Sequence, residues 1–399
     1  MKPAAILDIG SSKVVCLCGS SVHTDGILVH GVGICEYSGF EGGEFSDEAS
    51  LQEAILTAIE AAEQQSRIRI REVALSVPAP FVKLVTTQAT LLIESRSRRI
   101  TVDDIDDVIS MSLEKARAPE HILMHSTPVV FKIGGVESAE VPEGARADEL
   151  SATVSHMYVR ESFVRLMERM LSSMNVEISM CVSAQLAEAI HIIPEAERVR
   201  PAVLIDVGYT HTDVCLIENA ALTDLQSIEM GGAQFTGDLS FGLELPPEYA
   251  EQVKRRYTFL QEPLSNFEVV RMPTGAKRID HRLIDYIMEA RAQELAGLLK
   301  KALRDMGVRP ETRPAVYLTG GGISMMHGSG EYLKKKLGFN IRRDMPSYMH
   351  EMNSPNYTSA FGALDFVLRA SNEDDTDVSE TTGSFWNRLL DRLRDLFIK

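Results

Sequence analysis

The feature that most constrains the fold of this 399-residue chain is a short pattern that occurs twice, about half a chain apart. Residues 4–17 alternate an apolar run, a polar turn and a second apolar run, with Asp8 ending the first run and Gly10 in the turn. Residues 203–217 repeat that order, with Asp206 and Gly208 at the matching places. Two β-rich runs around a polar, glycine-containing turn predict a strand–turn–strand unit. The repeat therefore predicts an internally duplicated α/β protein.

The two turns and a later glycine run carry groups suited to a nucleotide. The first turn offers backbone N–H groups, two hydroxyls and an ammonium, from Gly10, Ser11, Ser12 and Lys13. The carboxylates of Asp8 and Asp206 repel phosphate directly, but we expect them to hold Mg²⁺ through water. A glycine run follows the strand predicted at 315–319 and allows close approach to an adenosine, because glycine has no Cβ: Gly320, Gly321 and Gly322. The ordered set of three segments predicts an ATP-binding cleft between two related domains.

These segments, in this order, resemble the actin-like ATPase superfamily, which also contains sugar kinases, and within it the bacterial cell-division FtsA family. Residues 8–14 resemble the first phosphate motif, residues 205–208 open the second, and residues 318–322 resemble the adenosine motif. Residues 230–238 resemble the family's Gly-Gly-x-x-x-Thr-x-Asp segment. The resemblance implies an actin-like ATPase fold, with two duplicated α/β domains around a nucleotide cleft and an inserted α+β subdomain called 1C.

The resemblance also implies a division of the chain into domains. Domain 1A comprises residues 1–81 and 159–200, and the inserted subdomain 1C comprises residues 82–158. Domain 2A comprises residues 201–231 and 310–370, and subdomain 2B comprises residues 232–309. An acidic disordered linker follows at 371–383, and an amphipathic membrane-targeting helix at 384–399.

Further nucleotide-binding residues follow from the resemblance alone. They are Gly231 and Gly232, and the pair Glu251 and Lys254, which matches a helix that faces the nucleoside in relatives. The second phosphate loop departs from the family, because Tyr209, Thr210, His211 and Thr212 stand where further glycines are usual. We expect Tyr209, Thr210 and Thr212 to contact the nucleotide, with the two threonines as hydroxyl donors.

Catalysis is less well supported than binding. The segment 182–187 corresponds to a helix in which actin-like ATPases often place a Glu or Gln that orients water, yet position 184 is Ala. Gln185 and Asp206 remain weak catalytic candidates, so we expect at most slow ATP hydrolysis.

The last 29 residues change character twice. Residues 371–383 carry five acidic and no basic side chains, which is typical of a disordered linker. Residues 384–399 then place bulky apolar side chains on one helical face: Phe385, Trp386, Leu389, Leu390, Leu393, Leu396 and Phe397. The opposite face is rich in arginine. This pattern predicts an interfacial helix that binds an anionic membrane surface. The alternatives are a terminal helix that docks on the chain's own core and a helix that docks in the groove of a partner protein.

Composition excludes one class of partner. The formal net charge is −16, whereas a general nucleic-acid binder needs an excess of Lys and Arg, so we expect no nucleic-acid partner. Five cysteines without a C-x-x-C pair indicate free thiols in a reducing compartment. We expect no signal peptide before the first strand, and we expect a peripheral protein on the cytoplasmic side of the cell membrane, at the division septum.

The resemblance implies an ATP-binding division protein that polymerises head to tail and tethers the FtsZ ring to the membrane. Its expected partners are the C-terminal tail peptide of FtsZ, held by subdomain 2B, further copies of itself, and other divisome proteins. Two alternatives remain: an adaptor similar to the pilus-assembly protein PilM, which the altered second loop favours, and a small-molecule kinase of the same superfamily.

Overall fold

We analysed a computed structural model of the chain, which describes residues 3–22, 26–93, 99–263, 265–343, 352 and 354–372. Its eighteen described strands are β1 (Ala4–Ile9), β2 (Lys13–Val22), β3 (Gly26–Glu36), β4 (Phe40–Glu41), β5 (Glu44–Phe45), β6 (Glu72–Val77), β7 (Val82–Leu92), β8 (His121–Ile133), β9 (Val136–Ser138), β10 (Glu149–Arg160), β11 (Glu177–Ser183), β12 (Ala202–Val207), β13 (Thr212–Glu218), β14 (Ala221–Ile228), β15 (Phe267–Met272), β16 (Gly275–Asp280), β17 (Ala315–Thr319) and β18 (Ile341–Arg343).

The helices of the described residues are α1 (Glu48–Ser66), α2 (Val102–Lys115), α3 (Glu161–Ser172), α4 (Ala184–Ile192), α5 (Glu195–Arg198), α6 (Gly232–Gly242), α7 (Pro247–Arg256), α8 (His281–Asp305), α9 (Ser329–Leu337) and α10 (Thr358–Asn372). None of these helices is long and apolar enough to span a membrane.

The two strand–turn–strand units form the centres of two sheets with the same topology. The first sheet has the order β11-β6-β1-β2-β3 and the second has the order β18-β17-β12-β13-β14. In each, the central strand pairs antiparallel with the next strand and parallel with a later one. The duplication predicted from the sequence is therefore confirmed. Because parallel strands end at the same edge of a sheet, the turns after β1, β12 and β17 are brought to the cleft.

A third sheet lies between β6 and α3 in the chain. Its four antiparallel strands have the order β7-β10-β8-β9, and α2 packs on it through Ile105 and Val108. The Thr101 side chain caps α2 by accepting from the Asp104 amide, and Asp104 accepts in return from the Thr101 amide, as the sequence Thr-Val-Asp-Asp predicts. This is the inserted α+β unit.

One assignment from the sequence is wrong. Residues 358–370 were expected in the second domain, but α10 packs against α4, β1 and β2 of the first, with Phe361 and Leu364 fully buried there. The chain therefore crosses back to the first domain just before α10. The same helix runs to Asn372, two residues into the predicted linker. Residues 373–399, with the predicted membrane helix, lie outside the described residues.

The expectation of free thiols agrees with the fold: all five cysteines are free. Cys16, Cys18 and Cys215 are buried, whereas Cys35 and Cys181 are half-buried.

Candidate functional site

A cavity of about 1290 Å³ separates the two duplicated domains. The turns after β1 and β12, the loop after β17, and the helices α4 and α7 all line it. Of the residues predicted from the sequence, the ones that line the cavity are Asp8, Gly10, Ser11, Ser12, Lys13, Gln185, Asp206, Gly208, Tyr209, Thr210, Glu251, Lys254, Gly320 and Gly321. The fold thus brings together segments that are up to about 300 residues apart in the chain.

The first turn is closed by a hydrogen bond from the Gly10 amide to the Lys13 carbonyl, at 3.0 Å. The Tyr37 hydroxyl donates to the Gly10 carbonyl at 2.6 Å and fixes the turn from outside. Burial lowers the pKa of Lys13 to about 8, although Asp8 and Glu36 favour its charged form. The turn therefore presents two hydroxyls and a poorly hydrated ammonium to the cavity.

The second turn has the same closure, with the Gly208 amide donating to the His211 carbonyl at 2.8 Å. The two turns touch across the cleft: the Thr210 amide donates to Ser11 Oγ at 3.2 Å. The His211 ring packs edge-on against Phe40 of the first domain, with centroids 5.4 Å apart. The Thr210 backbone amide and the His211 ring thus join the two domains, and a ligand placed between the turns would compete with the Thr210–Ser11 bond.

Glycines hold the second turn from both sides. Gly320 has φ +94°, and a Cβ there would overlap the Asp206 carboxylate and the Val207 carbonyl. The Gly322 amide donates to that same carbonyl at 2.7 Å, and the Gly232 amide donates to the Gly208 carbonyl at 2.9 Å. The glycines are required because backbone packs directly on backbone.

Four residues predicted to bind nucleotide do not line the cavity: Thr212, Gly231, Gly232 and Gly322. Thr212 is fully buried and its hydroxyl donates to the Met230 carbonyl at 2.6 Å, so it is no free donor for phosphate. A Cβ on Gly231 would stand 2.5 Å from the carbonyl oxygens of Gly208 and Tyr209. The structure therefore gives these residues supporting positions behind the turns.

On the wall of the cavity, α7 presents an ion pair between a buried lysine and a half-buried glutamate. Lys254 Nζ lies 2.5 Å from Glu251 Oε2 and also donates to the Gly232 carbonyl and to Thr236 Oγ1. Burial lowers the pKa of Lys254. For Glu251 burial acts to raise the pKa, but Lys254 and the Thr236 and Arg255 donors outweigh it and hold the pKa below its usual value. Both groups are fixed before any ligand arrives.

Four carboxyl groups lie on the floor of the cavity, two of which the sequence analysis missed. Besides Asp8 and Asp206, these are Asp213 and Glu188. Asp213 is the direct cross-strand partner of Asp206 in the β12–β13 pair, which a register argument from the hairpin would have found. Glu188 is a buried acid in α4, a mostly apolar helix whose other polar side chains are Gln185 and His191, and that place was its only sequence signal.

Burial raises the pKa of all four carboxyl groups. Burial, followed by the repulsion of Asp213 and Asp8, raises the pKa of Asp206 to about 8. Burial raises the pKa of Asp213 to about 6 against the hydrogen bonds donated by Ser227 and Gln185. Burial and the neighbouring aspartates also raise the pKa of Glu188 well above its usual range, and burial raises that of Asp8 although Ser359 donates to it.

The donor set fits a hydrated divalent cation. The buried atoms Asp206 Oδ1, Glu188 Oε2 and Gln185 Oε1 have no hydrogen-bond partner among the described residues, and a cation with its water shell satisfies such oxygens. No three His, Cys, Asp or Glu side chains within the described ranges are close enough to bind a metal ion directly. These oxygens would thus hold Mg²⁺ through water, where it would neutralise the phosphates of a nucleotide.

The helix with the weak catalytic candidate begins later than predicted. The predicted helix included residues 182 and 183, but these end β11, and α4 starts at Ala184 with the Ser183 hydroxyl as its cap. Gln185 Nε2 donates to Asp213 Oδ2 at 2.9 Å, which ties this side chain to the carboxyl cluster.

The cluster predicts an unusual pH dependence of stability. Because the folded pKa of Asp206 is raised from 3.8 to about 8, the unfolded chain loses its proton first. Without a cation, we expect the free energy of unfolding to fall as pH rises from about 4 to about 8, and to level off above that. The substitution Asp206→Asn should remove the Asp206 part of this loss and raise stability by a few kcal/mol at about pH 8.5.

Urea unfolding in EDTA at about pH 5 and at about pH 8.5 measures the effect. Glu63→Gln is the matched control, since that carboxylate lies in an ordinary ion pair with Arg69. An equal pH slope in the wild type and in Asp206→Asn would show that Asp206 is ionised in the fold.

A protein-family model matches part of the second half of the chain. Residues 203–362 match the family model described as "Cell division protein FtsA". Similar curated proteins include the cell division protein FtsA of Pseudomonas aeruginosa, 26% identical over 92% of this chain and 89% of that protein. The same protein of Bacillus subtilis is 24% identical over 91% and 83%, and that of Escherichia coli is 23% identical over 98% and 97%.

Solved structures agree with the predicted fold. The PilM–PilN type IV pilus biogenesis complex matches with a TM-score of 0.64 and 17% identity, over 92% of this chain and 98% of the other. MreB5 of Spiroplasma citri bound to ADP matches at 0.57 and 11%, over 94% and 99%. A MamK double helical filament matches at 0.52 and 12%, over 92% and 98%. These matches confirm the actin-like fold.

Proposed function

We propose that this chain, which is a relative of the bacterial cell division protein FtsA with an actin-like fold, binds ATP and Mg²⁺ in the interdomain cleft and acts in cell division. The observation that carries the proposal is the cavity itself, in which two equivalent turns, a carboxyl cluster and a fixed Lys–Glu pair converge. Phosphates lie between the turns in this proposal, and the nucleoside lies between α7 and the loop after β17.

Each group has a separate part in binding. Lys13 neutralises phosphate charge while Ser11 and Ser12 donate to phosphate oxygens. Asp8 and Asp206, with Glu188, hold the hydrated cation that offsets the remaining charge. Gln185 donates to Asp213 and keeps only its amide oxygen to orient a water. Because Gln185 is tied in this way and position 184 is Ala, hydrolysis is slow. ATP therefore acts mainly as a ligand that favours one conformation.

At the level of the cell, we propose a link between FtsZ and the membrane. ATP-bound copies assemble head to tail, and each copy contributes one weak membrane helix at 384–399, so that avidity supplies firm attachment. The filament-forming MamK neighbour and the FtsA relatives support this assembly. The protein is then peripheral on the cytoplasmic side of the cell membrane at the septum, among other divisome proteins.

Subdomain 2B, at 232–309, offers a surface for the FtsZ tail peptide. Several large apolar side chains there are exposed, and the two most exposed are Phe241 and Tyr286, at 90% and 74%. They adjoin the place where Gly242 packs against Ile287. A contiguous apolar patch is typical of a protein-interaction surface, so we propose that these neighbouring side chains contact the peptide.

The adaptor alternative has weaker support. The likeness to PilM is one of fold, at 17% identity, whereas the FtsA proteins named above match this chain in sequence, at 23–26% identity over most of its length. Co-purification with FtsZ or with pilus-assembly proteins separates the two, and phosphate transfer to a panel of sugars tests the kinase alternative.

Nucleotide binding is the first test of the proposal. We expect Lys13→Ala to weaken ATP binding by about 1.5–3 kcal/mol, because it removes one charge-assisted contact to phosphate from a site with little water. Titration calorimetry measures the change. Lys83→Ala, at a lysine of β7 outside the cavity lining, is the matched control and should bind ATP as the wild type does. Equal affinity in Lys13→Ala and wild type would remove Lys13 from the site.

A further inference from the structure

A short segment crosses from the second domain to the first at the edge of the cavity, and four consecutive side chains in it contact the two domains in turn. Asn356 lies against Gly321 of the loop after β17. The Tyr357 ring lies beneath Lys13. Thr358 accepts from Thr319 at 3.1 Å, and Ser359 donates to Asp8 at 2.7 Å.

Two of these contacts reach the first phosphate turn. Lys13 Nζ stands 4.0 Å from the centre of the Tyr357 ring, within the range of a cation–π interaction. Among the described residues, that ring is the one group in direct contact with the ammonium, because no hydrogen bond or ion pair of Lys13 Nζ occurs there. The charged groups that act on it from a greater distance are Asp8, Glu36 and Arg255.

An aromatic partner differs from a carboxylate in a way that matters for phosphate. A carboxylate would hold the ammonium through its N–H groups and would have to be displaced by the ligand. A ring face attracts the charge through its quadrupole and leaves the N–H donors unused. The ring thus attracts the ammonium in a buried place and leaves it available to an anion.

We propose that Tyr357 is a positioning residue that holds the Lys13 ammonium ready for the phosphates of the nucleotide. This inference rests on the proposed function, since it requires that the cavity binds ATP. It assigns a role to residues 356–359, a segment that lies outside the sequence motifs of the cleft.

The test is a double-mutant cycle on ATP affinity, measured by titration calorimetry with Mg-ATP on the full chain. We expect Tyr357→Leu to weaken binding about 3- to 10-fold, and Tyr357→Phe, which keeps the ring, to restore affinity to within about twofold. In a Lys13→Ala background, Tyr357→Leu should change affinity by less than about twofold, because the ammonium that the ring positions is gone.

Adenosine, which has no phosphate, is the second probe. Its binding, measured by competition, should be the same in wild type and Tyr357→Leu, and this comparison also shows that the variant is folded. A loss of ATP affinity that Tyr357→Phe fails to restore, or that persists unchanged without Lys13, would overturn the inference. A wild-type chain that does not bind ATP would overturn the proposed function instead.

Discussion

Removal of residues 384–399 will abolish co-sedimentation with anionic liposomes and leave ATP binding unchanged. The segment carries seven large apolar side chains at helical spacing, each contributing about 1 kcal/mol after ordering costs. Its basic side chains, Arg388, Arg392, Arg394 and Lys399, outnumber its two aspartates and add attraction to anionic lipid that weakens with salt. The cleft is built from other residues, so nucleotide affinity is independent of the tail.

A point substitution refines this expectation. Trp386→Glu should lower liposome binding nearly as far as the deletion, because it places a charge on the face that enters the lipid. Asp391→Asn is the matched control on the polar face and should bind at least as well as the wild type. Trp386 is also the only tryptophan in the chain, so its emission should shift to the blue when vesicles are added. Emission that is already blue and unchanged by vesicles would mean that the segment is docked on protein.

Gly320→Ala will prevent ATP binding and destabilise the fold by about 2 kcal/mol or more. Its φ of +94° disfavours any side chain, and a Cβ would overlap the Asp206 carboxylate and the Val207 carbonyl. The second turn must then move, and it carries Gly208 and Thr210 of the proposed phosphate site. Chemical denaturation and titration calorimetry measure the two losses.

Gly297→Ala is the matched control for that substitution. Gly297 lies within α8, and a Cβ there would meet nothing within 4 Å. It should raise stability by about 0.5–1 kcal/mol and leave ATP affinity unchanged. Normal ATP binding by Gly320→Ala would contradict the tight backbone packing described for the second turn.

The parts of the fold that sequence predicted are those with local causes. The two hairpins and their turns follow from apolar alternation around Gly10 and Gly208, and the cap of α2 follows from Thr101 and Asp104. Likewise, the strand Ala315–Thr319 was predicted to the residue. These features depend on residues that are neighbours in the chain.

What sequence did not predict depends on distant packing. The apolar face of α10 fits either domain by composition, and only its contact with α4 and β1 places it in the first. Glu188 becomes part of the site because α4 packs against β11 and β13 at the cavity. Thr212 looked like a phosphate donor, but the strand pairing turns it inward to Met230. Each of these facts is set by tertiary structure.

One measurement tests the proposed link between FtsZ and the membrane. FtsZ filaments are mixed with anionic vesicles, Mg-ATP and this protein, and the vesicles are floated on a density gradient. We expect FtsZ to float with the vesicles when the full chain is present, and to stay behind with the chain lacking residues 384–399. If the full chain itself floats with the vesicles but leaves FtsZ behind, the proposed link between FtsZ and the membrane is contradicted.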